Sequence, residues 1–324
     1  MRKQYLSLVL AAVALPALAA APAHAQVSRT WVSALGDDDN PCSRTAPCKT
    51  FSGALDKTQA GGEISVLDPG GYGPVTIDKA ISIVADGVEG GISAGFTNAV
   101  LVAAGPSDVV SLRGLQIEGA VSGLNGIKFT SGGTLHVESC VIRGFQSTSA
   151  GNGHGIAFLP TGNSKLQVTD SIIEKNGNGV FGGGILVRPT GTGTAKVALS
   201  GVTLANNSFG FRADGTGSTA GAGIQGGIYD TTATGNAGNA FSAVTVQGFQ
   251  GINLMLNHTS AFANGTQAVF ANGALATVWL SDFTATANGT GLAVANGASI
   301  GSHNNNSISG NGTDGAPTAQ VGQV

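Results

Sequence analysis

Apolar residues return along this chain at a register wider than any single strand or helix. One apolar position per repeat gives Leu112, Val137, Val168, Leu199, Ile228, Leu256 and Leu280, spaced 24 to 31 residues apart. Five residues after each stands a second apolar column: Ile117, Ile142, Ile173, Leu204, Ala233, Ala261 and Ala285. Inside a repeat the apolar positions alternate, as in Leu166-x-Val168 and Ile127-x-Phe129, the period of a strand with one buried face. Near the C-terminus the copy is literal. Ala263-Asn264-Gly265-Thr266 returns 24 residues later as Ala287-Asn288-Gly289-Thr290. Such a period signals a solenoid or a propeller, and its unevenness favours a coil whose turns vary in length while its strands stay fixed.

Two further columns support the register. Two residues after the first anchor come Gly114, Ser139, Asp170, Gly201, Asp230, His258 and Asp282. Gly, Asp and His tolerate left-handed backbone, so this column predicts a tight turn between two short strands. Eight residues after the anchor, Asn176, Asn207, Asn236, Asn264 and Asn288 recur in five consecutive repeats. Amides stacked at strand spacing can hydrogen-bond one another, so a structural Asn column is expected.

The repeat Leu166-x-Val168-x-Asp170-Ser171-x-Ile173-x-x-Asn176 resembles the right-handed parallel β-helix repeat proteins of the pectate-lyase-like superfamily. The likeness spans about residues 60 to 311. It implies an all-β, right-handed parallel β-helix solenoid of about nine coils with a short N-terminal capping helix. Because that superfamily holds lyases, hydrolases and proteins of no known reaction, it implies no single activity. The stretch from Trp31 to Gly87 looks like the opening of many exported members. Within it, Thr50 can cap a helix carrying Phe51, Ala54 and Leu55, with Gly61 and Gly62 stopping it. Ile64 to Val66, Val75 to Ile77 and Ile81 to Ile83 read as the strands of the first full coil.

Composition narrows the class. Of 324 residues, 42% are hydrophobic and only 10% charged, where about 25% is usual. A mean hydropathy of +0.20 argues against disorder. A net charge of -3 and a pI near 5.9 leave no electrostatic footprint for nucleic acid. Residues 1–25 read as a signal peptide: Arg2 and Lys3, an apolar core from Leu6 to Leu18, then Ala23-His24-Ala25. The mature chain is then expected to be exported, extracellular or periplasmic, with no membrane span. Residues 26–62 would form an N-terminal cap with a disulfide loop and short helix, 63–311 the β-helix, and 312–324 a flexible tail. In an oxidising compartment Cys42 and Cys48, six apart in a Pro-containing loop, are expected to pair. A metal site there would need a His or a second Cys pair nearby. Cys140, between apolar residues, reads as a buried inert thiol.

Several constellations could carry chemistry. Glu118, Arg143 and Glu174 occupy one outward column of neighbouring coils, the arrangement a polyuronate lyase needs for a base beside Ca²⁺-holding carboxylates. The turn from Gln146 to Gly153 is the candidate wall beside them. Asp230, His258 and Asp282 stack in the turn column, and the Asp37-Asp38-Asp39-Asn40 run could hold Ca²⁺. Gly153-His154-Gly155 resembles a motif of polygalacturonase-like glycoside hydrolases, but no Lys or Arg follows Arg212, so that family's catalytic set is incomplete. Tyr229 and Trp279 should point outward, where aromatic faces stack on sugars. The expectation is a non-catalytic exported scaffold with a surface, matrix or polysaccharide-binding role, needing no cofactor and no metal. The alternative is a lyase on an acidic polysaccharide, with Ca²⁺ and Arg143 as base.

Overall fold

The computed structural model describes residues 26–322 apart from 220 and 222; the expected signal peptide lies outside the described residues. The chain winds as a parallel β-solenoid of about nine turns. Each typical turn has three strands. Val109–Arg113, Leu115–Glu118 and Asn125–Ser131 make one; Thr134–Glu138, Val141–Arg143 and His154–Phe158 make the next. Third strands stack into a nine-stranded sheet, while first and second strands share a 20-stranded one. All named pairings between strands are parallel, so every coil sits in register on its neighbours.

The anchor column aligns as strand partners, Leu112 on Val137, Val137 on Val168, and so on to Leu256 on Leu280. All seven anchors are fully or almost fully buried. The second apolar column aligns likewise from Ile117 to Ala285. Between the columns, Gly114, Ser139, Asp170, Gly201, Asp230, His258 and Asp282 all have φ between 47° and 71°. One left-handed residue bends each first strand into its second, which explains why only Gly and polar residues stand there.

Asparagine amides cross-link the coils. The Asn176 side-chain N–H donates to Asn207 Oδ1 at 3.1 Å, and the relay continues through Asn236, Asn264, Asn288 and Asn311. It ends on the Asp314 carboxylate, 2.9 Å from the Asn311 amide. Each amide from Asn207 to Asn311 also receives the backbone N–H of the preceding member, so buried turn donors are satisfied.

The N-terminal opening differs from the sequence reading in two places. The helix Phe51–Lys57 forms, with Thr50 accepting from Gly53 N–H, and buries Phe51, Ala54 and Leu55. It stops at Thr58 rather than at the glycines. The Thr58 hydroxyl donates to Ala54 C=O and contacts Thr30, drawing the chain straight into strand Thr58–Val66, which contains Gly61 and Gly62. Ile81–Val84 does not complete the first coil: Ile83 pairs with Ile64, so this strand opens the second. The short strand Gly70–Gly71, too poor in side chains to be read as a strand, holds the missing place. Cys42 and Cys48 form a disulfide. Among the described residues, no helix is long and apolar enough to cross a membrane.

At the other end, residues 312–322 lie along the last coil. Gly291 and Leu292 N–H donate to Thr313 and Asp314 C=O, and Ala319–Gln320 pairs with Ser299–Ser302.

Candidate functional site

The charged column sits where second strands stack. Glu118, Arg143 and Glu174 are direct strand partners. Arg143 Nε donates to Glu118 Oε1 at 2.8 Å and a second guanidinium nitrogen reaches the same oxygen. Glu174 instead lies 3.8 Å from Lys175 Nζ. The hydrogen bond and charge of Glu118, aided by Glu174 and Glu89, hold the Arg143 guanidinium above its ordinary pKa. A base must shed a proton, and this environment opposes that. The side chains of Arg143 and Glu118 are nearly half exposed, which makes the pair weak in stability as well. From the turn of residues 146–153, Gln146 Nε2 donates to Lys175 C=O, next to Glu174. Gly151 of the same turn lines a groove near the third strands.

Other acidic candidates spend their oxygens on the chain. Asp38 accepts from Lys49 N–H, Thr50 N–H and the Thr50 hydroxyl, and the Lys57 ammonium takes the Asp38 and Asn40 carbonyls. His258 bridges its column, with Nδ1 at 2.6 Å from Asp230 and Nε2 at 3.6 Å from Asp282. The Asp230 hydrogen bond leads in raising its pKa. Among the described residues, no group of three or more His, Cys, Asp or Glu is gathered to hold a metal.

Tyr229 and Trp279 lie on the outward side of the first strands. Trp279 pairs with Met255 on one side and Gly301 on the other, and Met255 pairs with Gly227. A β-carbon added at Gly301 would meet the Trp279 ring, and one added at Gly227 would meet the Tyr229 ring. Both rings therefore lie down on the sheet over a glycine. Tyr229 leans back into the column of Met255 and Trp279, so the two aromatics share a strip two coils, ~10 Å, apart. Its mate on the far side is His303, with ring centroids 5.7 Å from Trp279.

The groove beside the third strands went unrecognised in the sequence. It measures about 480 Å³ and spans five coils, from His154 to Gln267. His154 opens strand His154–Phe158 and is 5% exposed; Arg212 points outward from Phe211–Asp214. Between them stands Phe209, its ring centroid 5.8 Å from the His154 ring and 4.7 Å from the Arg212 guanidinium carbon. Burial, then the Arg212 charge, pushes the His154 pKa down to about 4, so the imidazole is neutral at ordinary pH. Its Nδ1 and the Arg212 Nε are buried and, among the described residues, have no hydrogen-bond partner. Arg188 Nε lies 3.6 Å from Asp214. Of these residues, His154 is marked in the sequence by its Gly-His-Gly triplet. The available clue to Arg212 is its place as the last Lys or Arg in the chain.

No protein-family model and no curated protein matches the chain. Solved structures match in shape. The pectate lyase Pel9A aligns with a TM-score of 0.57 at 16% identity, over 88% of this chain and 80% of that one. A GH136 lacto-N-biosidase from Eubacterium ramulus gives 0.48 at 11%, over 91% and 67%. A rhamnogalacturonan lyase gives 0.42 at 11%, over 80% and 74%. At such identities the likeness speaks for fold, and function must be argued from sites. With its stacked three-strand coils and a fold like that of the pectate lyase Pel9A, the chain is a parallel β-helix protein.

Proposed function

We propose that this protein is an exported β-helix scaffold that binds carbohydrate on its outer surface without cleaving it. The observation that carries the reading is the pair of rings laid flat on glycines. A sugar ring stacks on an aromatic face that is parallel to the surface and unobstructed, and Gly227 and Gly301 supply that clearance. The printed activities of the structural neighbours, on pectate and other glycans, fit a carbohydrate partner. In this reading the helix Phe51–Lys57 covers the first coil and the stack acts as a rigid rod.

The lyase alternative asks Arg143 to lose a proton while Glu118 holds it, which disfavours that residue as base. The test is a pull-down of the mature chain on insoluble polysaccharides, with release of unsaturated uronates followed by ultraviolet absorbance, with and without Ca²⁺. Retention on at least one polymer, lost in Trp279→Ala, with no absorbing product, is the expected result. Product formation would replace scaffold with enzyme.

A further inference from the structure

The groove holds a charge that the fold answers only in part. Arg212 is substantially buried and, among the described residues, its Nε has no partner, while Asp214, whose charge favours the guanidinium, lies 3.6 Å from Arg188 Nε and accepts from Thr216 N–H and its hydroxyl. Burying a guanidinium is costly unless an anion and hydrogen bonds compensate it. The cation is nevertheless held in place, stacked on the Phe209 ring. Beside it, His154 is nine-tenths buried, neutral, and has a ring nitrogen without a partner. The remaining lining offers Ser208, Asn239, Thr266 and Gln267, short polar side chains suited to hydroxyl groups.

We propose that this groove is a second binding site, taking a saccharide that carries an oxyanion, either carboxylate or sulfate ester, with the anion seated on Arg212. A planar guanidinium donates two parallel hydrogen bonds to such a group, and His154 and the amide and hydroxyl side chains orient the sugar. The site shares the carbohydrate class of the strip at Trp279 but none of its residues. It also has a built-in competitor. Asp214 acts on Arg212 as well as on Arg188, so its charge offsets part of the positive charge of the groove.

The test uses the full mature chain and three soluble probes: polygalacturonate, dextran sulfate and uncharged dextran, titrated calorimetrically at low and high salt. Binding of one or both charged polymers is expected, weakened by salt, and the stronger of the two identifies the anion. Arg212→Gln should weaken it by roughly tenfold or more, the usual consequence of losing a charge-assisted hydrogen bond. Asp214→Asn should tighten it, a gain that misfolding cannot imitate. Equal affinity of Arg212→Gln and wild type, or no gain in Asp214→Asn, would overturn the site. If binding to both charged and uncharged polymers falls with Trp279→Ala alone, the groove proposal fails while the scaffold reading stands. Binding to no probe and to no insoluble polymer removes both.

Discussion

Asn207 and Asn236, on adjacent coils, are joined through one oxygen: Asn236 Oδ1 accepts the Asn207 backbone N–H at 3.0 Å and its side-chain amide at 3.2 Å. Asn236 in turn donates to Leu204 C=O at 2.9 Å. Replacing Asn236 by Ala strands two buried donors and one carbonyl at once. A loss of about 2–4 kcal/mol is expected, read as a lower midpoint in denaturant unfolding. An unchanged midpoint would mean that water replaces the amide without cost.

His258 gives stability a pH dependence. Its pKa is higher folded than unfolded, because Asp230 and Asp282 favour the imidazolium. Protonation therefore favours the fold: the contribution is complete below the ordinary value of 6.5 and disappears as pH rises through the elevated folded value. His258→Asn keeps a residue suited to φ 52° and removes the charge. The wild type should exceed this variant in melting temperature more at acid than at alkaline pH, by a small margin because the group is fully exposed.

The Cys140 thiol is 1% exposed, and burial raises its pKa to about 11. Thiolate is the reactive form. Aromatic disulfide reagents should leave the native protein unlabelled and modify one thiol after unfolding. Rapid native labelling would show that the coil around Cys140 opens readily.

Cys42 and Cys48 are separated by six positions, so the loop they close is short. Cys42→Ser is expected to lower stability by about 2 kcal/mol, with unfolding measured in the absence of reductant. Carbohydrate retention should survive, since the rings at Trp279 and Tyr229 lie many coils away.

Gly301→Val tests the strip without deleting an aromatic. The added side chain meets the Trp279 ring, so the ring should lift, its fluorescence should shift, and polysaccharide retention should fall. Retention equal to wild type would separate ring posture from binding.

The ladder of first and second strands was legible because its rules are local. A buried anchor, a left-handed residue two positions on, and a second apolar residue at five repeat at fixed offsets from Leu112 to Ala285. The third strands keep no such offset. Seven residues separate Glu118 from Asn125, eleven separate Arg143 from His154, and six separate Ala205 from Phe211. His154, Phe209 and Arg212 meet only after those unequal turns are wound, so their neighbourhood was hidden. Gly70–Gly71 was missed for a different reason: a strand defined by backbone bonds alone leaves no pattern of side chains.

The asparagine relay begins on a backbone donor, Phe145 N–H to Asn176 Oδ1, and ends on a carboxylate that has no proton to pass on. Every intermediate amide gives forward and receives from behind, so each is interchangeable with the next. One whole winding, with its own amide, could be spliced into the middle or removed, and the valences on either side would close again. Asp314 is then a terminator, and the number of windings before it can change without redesigning either end.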